Sequence, residues 1–292
     1  MQTENPTNEL KAPEENAIHN SDNSEVLVIG ESCKDIFTYG HATRLCPDVP
    51  APVFKPISNV EGMGMAGNVF QNLEGMGIEC DILTNRRDCQ KQRFVDIKTN
   101  HTLLRVDIND DIPRVPERWL KGYDLSKYKA VVIADYGKGF LEEDDIKYIC
   151  DNHNKVFLDT KKILGDYCAN AKFIKINKPE YDAIKDKISP EDWIDKLIIT
   201  LGEHGCVYLK SDLQSTSKHY FKSYSVKDPA SIIDLSGAGD SFHAGLVFKY
   251  LETEDIDQSL DFANVTANDA VQRKGVSVIK KEDKVNEKND QQ

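Results

Sequence analysis

The sequence predicts an α/β fold: an open, mostly parallel sheet flanked by helices, with a small β-sheet lid set apart from it. Three observations predict it. Short continuous apolar runs recur along the chain, as parallel strands buried on both faces require. Stretches with helical spacing lie between them, and two segments of a different pattern interrupt the rhythm.

Residues 1–24 are rich in Asn, Glu, Thr, Pro and Ser with few large apolar groups, too few to offset the entropy of ordering, and are expected to be a flexible tail. One folded domain is expected over residues 25–279, beginning with Val26-Leu27-Val28-Ile29 as its first strand. Phe37 to Pro56 carries several prolines, which suits edge or irregular strands. Val69, Leu73 and Met76, at i, i+4 and i+7, predict a helix opened by the turn Gly62-Met63-Gly64-Met65-Ala66-Gly67-Asn68. Arg93 to Ile108 alternates around a turn at Thr99-Asn100-His101, and residues of about 36–57 and 92–108 together form the expected lid. Four more strands follow: Val131-Val132-Ile133-Ala134, Val156-Phe157-Leu158, Phe173-Ile174-Lys175-Ile176 and Leu197-Ile198-Ile199. Phe242, Leu246, Val247, Tyr250 and Leu251 mark a late helix, and the charged and amide-rich residues 280–292 read as a second flexible tail.

Composition excludes several function classes. A 39% hydrophobic content is enough for a real core, while 49 Asp and Glu against 37 Lys and Arg leave a formal charge of −12 that repels nucleic acid and anionic membrane. No apolar run approaches the roughly 18 residues needed to cross a bilayer, and Met1 to Ser24 has neither the basic start nor the apolar segment of a secretory signal. A soluble, cytoplasmic protein is expected. Seven cysteines form no C-x-x-C pair, which fits reduced structural thiols.

The polar residues fall in register. Gly30-Glu31, Asp135, Asp159, Asn177, and Thr200 with Gly202 follow the five apolar runs, so parallel strands would gather them along one edge, where open α/β sheets bind ligands. Polar residues also end strands and cap helices, but five in register favour a site. The strongest local signal is Asp234-Leu235-Ser236-Gly237-Ala238-Gly239-Asp240-Ser241-Phe242, which leads into the late helix. Small residues there allow a sharp turn, and first-turn N–H groups with the helix dipole behind them make an anion hole. Asp240 is either a base that accepts a proton from a substrate hydroxyl or only the N-cap of that helix. The earlier turn at 62–68 either admits a polyhydroxylated ligand to the backbone or serves tight helix–sheet packing. Asn177-Lys178-Pro179-Glu180 places an amide and a carboxylate on one face of a helical turn, suited to magnesium-bound water or to capping.

Taken together these residues resemble a ribokinase-type (PfkB family) carbohydrate kinase, and within it the heptose-7-phosphate kinase branch. Asp234 to Ser241 stands where that family has D-T-G-A-G-D, Asn177 to Glu180 matches its N-x-x-E element, and Gly64 to Asn68 matches its G-G-A-x-N turn, in the family's order. The branch rests on Asp35-Ile36-Phe37-Thr38-Tyr39-Gly40 followed by Arg44-Leu45-Cys46-Pro47-Asp48-Val49-Pro50-Ala51-Pro52-Val53, and on Asp135 to Gly139, Asp159 to Lys161 and Thr200 to Gly205. The resemblance implies a ribokinase-like fold and transfer of the γ-phosphoryl group of ATP to a sugar hydroxyl, with Asp240 as base and Gly237, Ala238 and Gly239 as the anion hole. Asp35, Gly64 and Asn68 would hold the sugar, Asn177 and Glu180 would organise Mg2+ through water, and Lys161, Thr200, Gly202, Gly205 and Asn264 would lie on the nucleotide side. In this branch the acceptor is the anomeric hydroxyl of a heptose 7-phosphate and the product a 1,7-bisphosphate; Arg44, Lys138 and Arg105 are the candidate cations for the second phosphate. A homodimer through the lid and a separate nucleotidyltransferase acting downstream are implied partners.

Departures from the pattern bear on the substrate. Met65 replaces a glycine, Ser236 a threonine, and Ile36 and Thr38 larger residues beside Asp35, while the segment between Thr84 and Arg93 is short by about a helix and a strand. Two alternatives follow: the same chemistry on another sugar or a nucleoside, or a catalytically weak regulator that binds sugar or nucleotide.

Overall fold

The computed structural model describes residues 18–19, 23–212, 219–227 and 231–280; the rest of the two expected tails lies outside them. The first half of the chain forms β1 (Ile18–His19), β2 (Val26–Gly30), β3 (Ser32–Leu45), β4 (Pro52–Met65), α1 (Ala66–Gly75), β5 (Cys80–Leu83), β6 (Gln90–Asp96), β7 (Thr102–Ile108) and the single turn α2 (Glu117–Leu120). The second half forms β8 (Ala130–Asp135), α3 (Glu143–Asn152), β9 (Val156–Thr160), β10 (Phe173–Asn177), α4 (Lys178–Ile184), β11 (Leu197–Thr200), β12 (Cys206–Ser211), β13 (His219–Tyr224), α5 (Ala238–Thr253) and α6 (Ile256–Ala270).

All five apolar runs are strands of one sheet, in the order β1-β5-β2-β8-β9-β10-β11-β12-β13. It is parallel from β5 to β11 and antiparallel at its margins. Alternation divides each strand between two cores. Val26, Val28, Val132, Phe157 and Phe173 pack with α1, α5 and α6, while Leu27, Ile29, Val131, Ile133, Leu158 and Ile174 face α3 and α4. That double burial is why these strands read as unbroken apolar runs.

The lid is a second sheet of order β4-β3-β6-β7. Phe37 to Pro56, expected as irregular strands, belongs to two 14-residue strands that pair antiparallel with register shifts at Tyr39/Gly40 and His41/Arg44. Pro52 and Pro56 are tolerated because β4 is the lid's edge. Register aligns Asp35 with Lys91 and Asp107, and Phe37 with Arg93 and Arg105. Period-2 alternation puts both rows on the face where Phe37, Tyr39 and Val95 pack against Val276.

The short segment leaves its mark at the sheet edge. β5 passes directly to the lid through Thr84–Cys89, where the Asn85 side chain bonds both backbone groups of Ser32, at 2.7 and 3.1 Å. Beyond β5 the described sheet holds only β1, with Ile18 opposite Leu83 and His19 opposite Ile82. These two residues of the expected tail pair with the sheet's edge, which offers backbone partners that local composition does not reveal.

Met65 precedes α1 at φ 62°, ψ −134°, a conformation natural to glycine and strained for other residues by roughly 1–3 kcal/mol. Packing retains it, for the side chain is buried.

Candidate active site

Parallel strands do gather the polar strand ends on one edge. Register sets Asp135 beside Thr160, Asp159 beside Lys175, and Asn177 beside Thr200. Two of these ends are structural. The buried Glu31 carboxylate accepts the amides of Tyr136, Lys138 and Phe140 at 2.8, 3.0 and 3.3 Å, shaping the loop after β8. Asp135 accepts from the Thr160 hydroxyl at 2.6 Å and from Lys162 at 2.8 Å.

The start of α5 is different. Gly237, at φ 80°, is its N-cap and no side chain closes the helix end, so first-turn amides are left for a ligand. A Cβ on Gly237 would lie 2.7 Å from Asn68 Nδ2, so the turn requires glycine on both counts. Asp234 pins the turn by accepting the amides of Ser236 and Gly275 at 2.9 and 3.1 Å. Asp240 is thus not the N-cap. Its buried carboxylate receives Asn68 Nδ2 at 3.0 Å on one oxygen and the Tyr136 hydroxyl on the other. Asn68, expected to hold sugar, instead holds Asp240, and is itself fixed by Asn72 at 2.9 Å.

Beneath this helix start lies a buried ion pair, Lys175 Nζ to Asp159 Oδ2 at 2.6 Å. Lys175 Nζ is 3.4 Å from where a Gly239 Cβ would stand, so a positive charge underlies the helix start. Burial pushes the Asp159 carboxyl up, but Lys175 and Lys161 outweigh it and hold it below its usual value. Burial pulls the neighbouring His243 imidazole down to about 4, so it is neutral.

Burial also raises Asp240, to about 6, although the bonds from Tyr136 and Asn68 and the charge of Lys175 pull it back. With Asp240 acting as the base that the resemblance implies, the acid limb of kcat/KM is expected near pH 6. Tyr136→Phe removes one stabilising donor, so the limb should move up by roughly 1–2 pH units, with activity lost at pH 7 and recovered at higher pH. A pH–rate profile parallel to wild type would mean that Tyr136 does not act on the base.

A cleft abuts the same helix start. It is lined by Thr200, Gly202, Gly205 and Asn264, the residues expected on the nucleotide side, by Ala238 and Gly239 of the helix start, and by an apolar wall of Val226, Ile232, Leu235 and Val271. A mostly apolar lining with a few polar groups suits a small organic ligand. Lys161 pairs with Glu180, and Asn177 and Glu180 cap α4 reciprocally, with Asn177 N to Glu180 at 2.7 Å and Glu180 N to Asn177 at 2.9 Å. Capping is thus realised there. Among the described residues no three His, Cys, Asp or Glu side chains converge as a ready metal cage.

The residues expected on the acceptor side lie on the lid. Asp35 is buried and paired with Arg93, and a Cβ on Gly64 would lie 2.1 Å from its Oδ2, so Gly64 makes room for that carboxylate. The three expected phosphate-binding cations fare differently. Arg105 pairs with Asp107 at 2.7 Å, Lys138 pairs with Asp110, and Arg44 lies exposed nine residues along β3 from Asp35, about 30 Å away at strand rise. Arg44 is not brought to this site. Sequence reasoning missed Tyr136, Lys175, Lys91 and Arg93; a lysine inside an otherwise apolar strand was the available signal for Lys175.

A mostly parallel sheet flanked by helices, with a separate four-stranded lid, defines a ribokinase-like α/β fold. The family model for pfkB family carbohydrate kinases matches residues 143–283 of the chain. It is 26% identical to the bifunctional protein HldE of Aliivibrio salmonicida over 89% of this chain and 62% of that protein, so it spans about three fifths of the length of the curated relatives it matches. Phosphofructokinase-2 of Escherichia coli in complex with substrates and products has the same fold, with TM-score 0.67 and 12% identity over 89% of this chain and 96% of that one. Ribokinase of Thermotoga maritima follows with TM-score 0.64 and 14% identity over 88% and 97%.

Proposed function

We propose that this protein transfers the γ-phosphoryl group of ATP to a sugar hydroxyl, the acceptor being the anomeric hydroxyl of a heptose 7-phosphate. The observation that carries the reading is the Asp240 carboxylate, buried at an open helix start between Asn68 and Tyr136 and beside a largely apolar cleft. Asp240 takes the proton of the acceptor hydroxyl as that oxygen bonds to the γ-phosphorus and the bond to the β–γ bridging oxygen breaks, releasing ADP. The amides of Gly237, Ala238 and Gly239, with Lys175 below them, meet the charge on the migrating group. Adenine and ribose fill the cleft lined by Thr200, Gly202, Gly205 and Asn264, with Lys161 toward the phosphates. Asn177 and Glu180 would hold Mg2+ through water, an arrangement that suits an ion that keeps its waters and takes phosphate oxygens, and the ion would neutralise phosphate charge. Asp35 and Gly64 hold the sugar hydroxyls from the lid.

The heptose assignment rests on the 35–53 strings and on the cations of the lid. The lid's outer face, with Phe54, Phe94, Leu103 and Leu104 around an open groove, is read as a surface for a second copy of the chain. The product, a sugar 1-phosphate, is the substrate type a separate nucleotidyltransferase consumes. ADP release in the presence of Mg2+, ATP and a panel of neutral and phosphorylated sugars tests the reading. Turnover is expected, fastest with a heptose 7-phosphate; tight ligand binding by calorimetry with no ADP from any sugar would instead make the protein a binding regulator.

A further inference from the structure

An ammonium group withdrawn from water costs several kcal/mol unless an anion answers it. Lys91, in β6, is 7% exposed and has no carboxylate within ion-pair distance among the described residues. The anions around it are already matched. Asp35, its neighbour in register on β3, is taken by Arg93; Asp107, its neighbour on β7, by Arg105; and Asp110 by Lys138. What touches Lys91 is soft and uncharged: Sδ of Met65 at 3.0 Å, and the ring of Tyr136, its centroid 5.5 Å away. A thioether is a weak acceptor, and an aromatic face offsets only part of the desolvation.

The Tyr136 ring has two ammonium groups beside it. Lys161 lies 5.2 Å from the same ring and has Glu180 as its counter-ion, whereas Lys91 approaches from the lid and has none. The strained Met65 gains a meaning here, because its backbone conformation delivers the thioether that braces Lys91 without neutralising it. We infer that Lys91 is the subsite for an anionic group on the acceptor, a phosphate ester, so that the lid selects sugars already phosphorylated. This rests on the kinase reading above and replaces Arg44, Lys138 and Arg105 as the principal phosphate contact with a residue whose charge is unspent. Arg93 and Arg105, in the next row of the same lid face, flank it.

Two measurements on wild type and Lys91→Met test it. In thermal melts, a sugar phosphate should raise the midpoint of wild type and not that of the variant, while a non-hydrolysable ATP analogue should raise both alike. In steady-state assays, the ratio of kcat/KM for a sugar phosphate to that for its neutral parent should fall by roughly 10–100-fold in the variant, the value of a charged hydrogen bond. Lys91→Arg should recover most of that ratio. Lys91→Met is expected to fold, since it deletes an unmatched buried charge, and Lys91→Gln gives the same comparison should it not. The inference is overturned if the sugar phosphate stabilises wild type and the methionine variant equally, or if the variant loses its response to the ATP analogue, which would assign Lys91 to the nucleotide. Lys91-dependent sugar-phosphate binding without ADP production would leave the anion subsite standing while removing the kinase; turnover with no preference for phosphorylated acceptors would do the reverse.

Discussion

Asp240→Asn is expected to lower turnover by roughly 10²–10⁴-fold, the range for loss of a positioned general base, and to abolish the acid limb near pH 6. The same variant should not be less stable at pH 7. In the folded protein burial holds the Asp240 carboxyl at about 6, well above the usual carboxylate range, so the fold favours its protonated form. Its stabilising contribution is complete below about pH 4 and is lost as pH rises through 6; at pH 7 the buried charge opposes folding by up to about 3 kcal/mol. Asparagine carries no charge, so the variant should melt at the same or a higher temperature at pH 7, and the difference should shrink on acidification to pH 4. Undiminished turnover would remove the proposed mechanism, and a large loss of stability at pH 7 would mean that Asp240 is there to hold the turn.

Lys175→Met should destabilise the protein by about 3–5 kcal/mol, because it leaves the Asp159 carboxylate buried without a partner. Asp159 Oδ1 already lacks a hydrogen bond among the described residues, and the neighbouring Lys161 is paired with Glu180, so its charge offsets only part of the loss. The double variant Lys175→Met with Asp159→Asn should regain most of the stability in urea titrations. It should not regain phosphoryl transfer if the lysine charge acts on the anion hole. A single variant as stable as wild type, or a double variant as active, would reduce the pair to packing.

Much of this architecture is legible in the sequence for one reason: a strand buried on both faces admits no polar interruption, so β2, β8, β9, β10 and β11 stand out as apolar runs. The helix start at 237–240 is equally local, since glycine at φ 80° and the carboxylate three residues later belong to one turn. Features that depend on register are not legible. Lys91 gains its character only because β3 and β7 bring Asp35 and Asp107 beside it and two arginines claim both. Arg44 fails for the converse reason: a favourable string placed it near the acceptor, but an unbroken strand carries it to the far tip of the lid. Tyr136 looks like one more loop residue until Glu31, a hundred positions earlier in the chain, folds that loop over Asp240.

The clamp of Asn85 on Ser32 has a mechanical consequence. The chain passes outward to the lid twice, after β2 and after β5, and returns after β4 and after β7; this amide rivets the two outward passages together. So joined, the starts of β3 and β6 are restrained from sliding past each other. Asp35 and Lys91 follow this rivet by only three and six residues, in register with each other, so the two residues proposed on the acceptor side sit where the lid is most firmly anchored.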